Sequence, residues 1–473
     1  MEQLQSTLDE VSNILWGPAV LIPLLLLTGL FLMIRLRLLQ FRVLFHALWL
    51  ALVRRREDGD VKGDISHYQA LSTALAATVG VGNIAGAALA IGVGGPGALF
   101  WMWVTGLVGM ATKYSEALLG VKFRRSDSKG EQSGGPMFYL SRGLGGGLGK
   151  TLGVLFALFG AIAAFGIGNM TQAHEVAAQL QNNWQIPPWI SGAVLVVVAA
   201  AVILGGIKSI GRFAAAVVPV MIVLYIAATL TILAVNVGEL PAALALVFTD
   251  AFTGTAAAGG FAGSTILIAI QLGVSRGIFS NESGLGTGAI AAASAKTNQP
   301  VRQAMVSMTQ TFIDTIIVVT MTCLVIIVTG AWTANNVDDG SLMTSWAMSE
   351  GLSVLSPALG AVGGYTIAVA VMVFAFTTLL GWCYYGERCM DFLFGRVAVV
   401  PFRLVFVLMI MVGATTQLNI VWGFADIANA LMAIPNLIGL LLLSPVVVNE
   451  TKKYFANPDW RDPDAVPDVR VPV

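Results

Sequence analysis

The chain has 473 residues, of which 56% are hydrophobic and only 11% charged, with 26 Lys and Arg balanced by 26 Asp and Glu. A soluble domain carries about a quarter charged residues, and no soluble core could absorb this much apolar surface, so an ordinary soluble fold is excluded. Three cysteines, Cys323, Cys383 and Cys389, sit in or beside apolar stretches without metal-ligand spacing, which removes both a disulfide framework and a zinc site.

Eleven apolar runs follow in chain order, each near the 20 residues that cross about 30 Å of hydrocarbon. The first, near 15–34, has no basic stretch before it and no small-residue cleavage site, and reads as a retained helix rather than a signal peptide. It belongs with residues 1–65 as an additional helix and its following loop. Runs near 66–93, 97–122, 151–181, 187–207 and 213–235 form a first group of five, within 66–235. After a loop at 236–260 come 261–292, 303–330, 358–386, 399–418 and 424–448, a second group within 261–448, and then a polar tail, 449–473.

Basic residues alternate between loops. Arg35, Arg37, Arg42, Arg54 to Arg56 and Lys62 follow the first run, and Lys122, Arg124, Arg125, Lys129, Arg142 and Lys150 follow the third. Lys208, Arg212, Lys296, Arg302, Arg388, Arg396 and Arg403 continue the pattern, as do Lys452, Lys453, Arg461 and Arg470 in the tail. The intervening loops carry no Lys or Arg but do hold Glu239, Asp250, Asp338, Asp339 and Glu350. This asymmetry predicts an outside amino terminus, a cytoplasmic carboxyl terminus and a location in the plasma (inner) membrane. Only Lys113 and Arg276, both within runs, fall outside this scheme.

The second run contains "ATVGVGNIAG", residues 77–86, whose glycine spacing satisfies a dinucleotide pattern. That pattern needs a preceding strand and an acid about 20 residues later; the flanks here are membrane-length, and the later window, "FWMWVTG", has no acid. "GGGLGKT" at 145–151 is likewise no P-loop, because Leu144 occupies the place of its first glycine. Gly80 and Gly82 each weaken a helix by about 1 kcal/mol. The blander reading, glycines that only let helices pack closely, fits Gly82 and Gly86. The seventh run decides between them, because it too is interrupted, around "IFSNES" with Gly277, Gly284, Gly286 and Gly288. Two broken segments at the start of two oppositely oriented groups of five point to a transporter with inverted repeats. The fold class is therefore all-α and polytopic: eleven transmembrane helices, a five-plus-five inverted repeat and two discontinuous helices.

The helix ends at such breaks supply chemistry. Unpaired N–H groups around Val81, Gly82 and Asn83 suit a carboxylate, and unpaired carbonyls near Ala76 and Val79 suit a small hard cation. Carbonyls freed from Gly277 to Phe279 could accept an ammonium. A net-neutral amino acid needs no charged side chain at such a site.

"TALAATVGVGNIAG", "GGPGALFWMWVTGLVGMATKYSEA" at 94–117, "GGPMFYL" at 134–140, "SRGIFSNESGLG" and "LLGWCYYGER" at 379–388 resemble the alanine or glycine:cation symporters, the sodium:alanine symporter family, of the amino acid–polyamine–cation type. The resemblance covers nearly the whole chain. It implies sodium-coupled uptake of small neutral amino acids, with Na+ as coupling ion and no cofactor. "GVGN" also resembles the first broken helix of the neurotransmitter:sodium symporters, which implies that the Val81 and Gly82 amides and the Asn83 side chain hold the substrate carboxylate. Related folds likewise imply a sodium site from Thr377 and Thr378 with the first-break carbonyls, and a substrate wall from Thr378 and Trp382; an interfacial anchor is the other reading of Trp382.

Other polar residues carry open readings. Gln172 is deep enough to reach the pocket, whereas His174 and Glu175 approach the outer surface. Asp314 lies roughly 16 Å into its helix and reads as a structural acceptor or a cation ligand. Lys113 and Glu116 read as an ion pair, and Arg276 and Glu282 as gating groups or as snorkelling and capping ones. No zinc-hydrolase motif, ATP-binding motif or basic nucleic-acid patch appears, so the chain reads as no enzyme, no primary pump and no nucleic-acid binder. The expected partners are a small neutral amino acid, Na+ and the lipid bilayer, with the chain acting as a monomer. A proton-coupled symporter or exchanger is the alternative, ahead of a passive channel.

Overall fold

The computed structural model describes residues 2–17, 19–57, 61–253, 266–333, 340–416 and 419–462. Residues 254–260 of the expected outer loop, 261–265 of the seventh run, Asp338, Asp339 and 463–473 of the tail lie outside the described residues.

The described chain is almost wholly helical. It opens with α1 (Glu2–Leu15), α2 (Leu21–Arg35) and α3 (Leu39–Trp49), then α4 (His67–Thr78), α5 (Ala87–Gly94) and α6 (Gly97–Lys122). A two-residue hairpin, Arg125–Ser126 against Gln132–Ser133, leads to α7 (Pro136–Phe138), α8 (Gly146–Phe165), α9 (Thr171–Trp184), α10 (Pro188–Ile203) and α11 (Gly206–Val235). The second half comprises α12 (Leu240–Thr253), α13 (Ile266–Asn281), α14 (Gly288–Ala293), α15 (Pro300–Thr311), α16 (Thr320–Val328), α17 (Gly340–Ser353), α18 (Pro357–Phe394), α19 (Val399–Thr415) and α20 (Asn419–Phe455).

Each apolar run lies on one of these helices or on a broken pair. Six helices are long and apolar enough to cross a membrane, and two pairs bent by 83° and 53° bring that to as many as eight. α10 and α13 are apolar but shorter. The chain is a multi-pass membrane protein.

Four helices lie where no spanning run was expected. α12 and α17 occupy the stretches read as outer loops; at 14 residues each they are too short to span. α17 fits in against the first break, with Gly340 against the Ala85 backbone and Thr344 Oγ1 donating to Ile84 O at 3.1 Å. α1 packs on α20, where Leu8 fills the space beside Gly423 and Trp16 Nε1 donates to Asp426 O at 3.1 Å. α3 turns sharply away from α2.

Small residues bring the backbones together. A methyl at Gly120 would meet Ala289, one at Gly273 would meet Ala98, and one at Gly413 would meet Met170. With no hydrophobic drive between helices in lipid, such close approach supplies the packing energy. The described residues contain five π-helical stretches, at Leu50–Arg54, Gly82–Gly86, Tyr139–Leu144, Gly166–Met170 and Phe312–Val319. π-turns are rare and collect at functional sites.

Candidate functional site

One side chain builds the first break. α4 starts on a capping box of Ser66 with Gln69 and ends at Thr78. The Gly80 N–H, which a continuing helix would give to the Ala76 carbonyl, donates to Asn83 Oδ1 at 2.8 Å. The Asn83 N–H donates to Gly80 O at 3.2 Å, not to Val79 O. The carbonyls of Ala76 and Val79 have thus lost their helical donors, and among the described residues no acceptor takes the N–H groups of Val81 or Gly82. At membrane depth, freed backbone groups persist only where they face a cavity or a ligand.

Thr378 of α18 stands against this break. A methyl at Gly80 would fall on its hydroxyl oxygen, which is buried and has no hydrogen-bond partner. One turn on, Gly381 packs on Ala77. Thr377 donates to Phe374 O of its own helix at 2.9 Å, beside Met221 Sδ at 3.9 Å, and keeps its oxygen lone pairs.

Trp382 is only 2% exposed, so it is no interfacial anchor. It lies against Gly168, while Gly160 faces Cys389, so α18 runs antiparallel to α8 and α9. One further turn along each helix therefore brings Gln172 opposite Thr378. Gln172 Nε2 donates to Ile167 O at 2.9 Å, and its Oε1 is buried and unpartnered. Gln172 and Thr378 thus each carry a buried oxygen without a hydrogen-bond partner.

The second break falls later than the sequence suggests. Gly277 and Ile278 lie inside α13, and the Glu282 N–H still bonds Ile278 O at 2.8 Å. Gly277 is a packing glycine: a methyl there would strike the Thr105 hydroxyl. The helix ends because other groups capture its next donors. Asn281 Oδ1 takes the Ser283 N–H at 2.9 Å, and Glu116 Oε1 takes those of Gly284 and Gly286, each at 3.0 Å. Gly284 and Gly286, at φ +98° and +84°, supply the left-handed backbone this requires. The carbonyls of Phe279 and Ser280 consequently no longer receive their helical donors, the N–H groups of Ser283 and Gly284. Phe279 and Ser280 also touch the first break, at 3.0 and 3.3 Å from the position a Gly82 methyl would take.

Glu116 and Lys113 do not form the ion pair expected of them. Glu116 caps the second break, and Lys113 Nζ donates to Glu282 O at 3.1 Å. Asn436 Nδ2 bridges Glu116 Oε1 and Gly284 O at 2.7 and 2.8 Å. Glu282 caps its own loop, accepting from Thr287 Oγ1 at 2.6 Å.

Asp314 joins the two breaks. Asn83 Nδ2 donates to its Oδ1 at 2.7 Å, and the hydroxyls of Ser280 and Thr315 donate to its Oδ2 at 2.8 and 2.9 Å. Gln310, one turn earlier, donates to Thr78 Oγ1 at 2.9 Å and to Asn281 O at 3.1 Å.

The sequence matches the sodium:alanine symporter family profile over residues 1–464. The chain belongs to that family. The sodium/alanine symporter AgcS of Methanococcus maripaludis is 50% identical over 452 residues, covering 95% of this chain and 97% of that protein. The probable sodium/glutamine symporter GlnT of Bacillus subtilis is 34% identical over 455 residues, covering 96% and 91%. A crystal structure of MhsT in complex with L-phenylalanine shares the fold, with a TM-score of 0.59 at 15% identity over 85% of this chain and 98% of that one. The chain is thus a membrane transporter, not an enzyme.

At the basic face of the bundle the segments flanking α4 and α14 meet. A parallel bridge pairs Ile65, just before α4, with Ala295, just after α14. Arg124 locks it, donating to the carbonyls of Ala293, Ala295, Lys62 and Thr297 at 2.5–3.0 Å. Its burial outweighs the nearby Asp64 and Glu57 carboxylates and pulls the guanidinium pKa down to about 10. Glu57 gathers Arg302, Thr297 and His67 at 2.7, 2.8 and 2.9 Å. Burial works to raise the Glu57 pKa, but the His67 hydrogen bond and the His67 and Arg302 charges overcome it and hold the carboxyl at about 2.

Proposed function

We propose that the chain imports small neutral amino acids, alanine or glycine, with Na+ by alternating access. The carrying observation is the Gly80–Asn83 diversion, which leaves backbone donors and acceptors free beside the orphaned Thr378 hydroxyl. The Val81 and Gly82 amides, with Asn83 fixing their direction, hold the substrate carboxylate. The Phe279 carbonyl, one residue past the region around Gly277, receives the ammonium with that of Ser280. Gln172, Thr378 and Trp382 wall the side chain. The Ala76 and Val79 carbonyls, with the hydroxyls of Thr377 and Thr378, hold Na+ on the other side of the same break. Thr378 reaches both ligands and so couples them.

Eleven spans, arranged as five plus five with one additional helix, and an outside amino terminus complete the reading, supported by loop charge. One positive charge moving down 100 mV releases about 2.3 kcal/mol. At 1.4 kcal/mol per tenfold, that sustains roughly a 40-fold accumulation. Membership of the sodium:alanine symporter family and the likeness to the sodium/alanine symporter AgcS support both alanine and sodium.

The test is uptake of labelled L-alanine by purified protein in liposomes. Accumulation under an inward sodium gradient, lost when potassium replaces sodium, is the expected result. Equal accumulation under a proton gradient would overturn the sodium assignment, and no uptake under either would overturn alanine as substrate.

A further inference from the structure

Four cations without partners gather round one pocket at the basic face. α2 ends at Arg35, and Arg37 and Leu38 then adopt left-handed backbone, φ 56° and 55°, turning the chain by 83° into α3. The elbow is held from inside: Leu36, Leu39 and Gln40 are buried, and Gln40 Nε2 donates to Leu107 O at 3.3 Å. Between it and the last turns of α20 lies a pocket of about 220 Å³, with Arg35, Arg37, Arg42 and Lys452 on its rim and Leu39 and Val448 on its floor.

All four cations are exposed. Among the described residues none of them has a hydrogen bond or salt bridge, and Arg35 only lies over the Phe31 ring at 5.4 Å. Positive loop charge in general does not account for this. Elsewhere on the same face Lys122 pairs with Glu450 at 3.2 Å, and Arg388 and Arg396 share Asp127 and Glu131. Among the described residues the elbow cations converge on one pocket and make no ion pair.

α3 places the pocket at headgroup depth. Leu38, Phe41, Phe45 and Trp49 form an outward apolar stripe at helical spacing, and Phe45 is 84% exposed. A helix turned across its predecessor with such a stripe lies in the plane of the interface. Basic pockets between helices at that level take anionic headgroups.

We infer that this pocket binds the phosphodiester of an anionic phospholipid, the rim cations holding the phosphate while the apolar floor and the α3 stripe take the acyl chains. Free inorganic phosphate shares the rim chemistry but gains nothing from the floor. The inference needs only that the chain lies in a membrane and is independent of substrate and coupling ion.

The test is titration of the full-length protein with phosphatidylglycerol in phosphatidylcholine nanodiscs, with bound lipid counted by native mass spectrometry. Each cation near a charged membrane surface contributes about a fivefold gain in affinity. Arg35→Gln/Arg37→Gln/Arg42→Gln together should therefore weaken phosphatidylglycerol binding roughly a hundredfold. Lys208→Gln/Arg212→Gln on the same face should leave it unchanged. Should the triple variant unfold in neutral lipid, Arg42→Gln alone is read for its fivefold loss. Equal retention by wild type and variants, or displacement of the lipid by millimolar inorganic phosphate, would overturn the proposal.

Discussion

Asn83 at the first break and Asp314, on the continuous helix that joins α15 to α16, meet through a 2.7 Å hydrogen bond. Asn83 at the same time holds the Gly80 N–H, so one amide both creates the first break and ties it to a carboxylate that also binds Ser280. Asn83→Ala should leave the Gly80 N–H and an Asp314 oxygen buried without partners, a loss of about 2–3 kcal/mol. Thermal unfolding should show that loss and alanine uptake should fall with it. A double cycle with Asp314→Asn should give a coupling of about 1.5–3 kcal/mol. Additive effects would separate the two residues.

Thr378→Val keeps the shape of the side chain and removes the orphaned hydroxyl. It should raise the sodium concentration for half-maximal uptake about tenfold, equivalent to about 1.4 kcal/mol, and weaken alanine binding too. Thr377→Ala should raise the sodium requirement while alanine affinity at saturating sodium holds. An unchanged sodium dependence in that variant would remove Thr377 from the cation site.

Glu116→Ala should be far more damaging than Glu116→Gln. The alanine leaves the N–H groups of Gly284 and Gly286 and the Asn436 amide without their shared acceptor, at a cost of about 3 kcal/mol or more. Glutamine keeps one carbonyl oxygen for both backbone donors and should restore most of the stability. Thermal unfolding of the two variants side by side checks this.

Glu57 makes a pH-dependent contribution whose sign is set by its depressed pKa. Its carboxyl titrates at about 2 in the fold against an ordinary 4.5, so its stabilisation is complete above 4.5 and is lost as pH falls through 2. The stability gap between wild type and Glu57→Gln should be about 3 kcal/mol near neutral pH because Arg302 is left buried without its carboxylate, and should close as pH falls from 4.5 through 2. A gap that closes between pH 5 and 8 would refute the pairing.

Much of the frame is legible in the sequence because a bilayer enforces it: the apolar runs lie on the long helices and broken pairs. The first break is legible for a local reason. Gly80 and Asn83 lie three residues apart, so the contact that diverts the backbone is encoded within one turn. The spacing of Thr378 and Trp382 puts them one turn apart on a helix, but their burial against Gly80 and Gly168 is not visible in a single segment.

The second break illustrates what is not legible. The five glycines from Gly273 to Gly288 all weaken the helix, and nothing local says which of them yields. Glu116 chooses, from 168 residues away along the chain, by taking the N–H groups of Gly284 and Gly286. Gly277, equally able to break a helix, stays in one because Thr105 packs against it. Composition, run length, charge alternation and the Gly80–Asn83 spacing determined the membrane, the helices and the first break, since each acts over one segment. Tertiary structure alone decided where the second break falls, that Asp314 joins the two, and which oxygens stay unpaired, because a buried polar group is satisfied by whatever partner the packed helices bring to it.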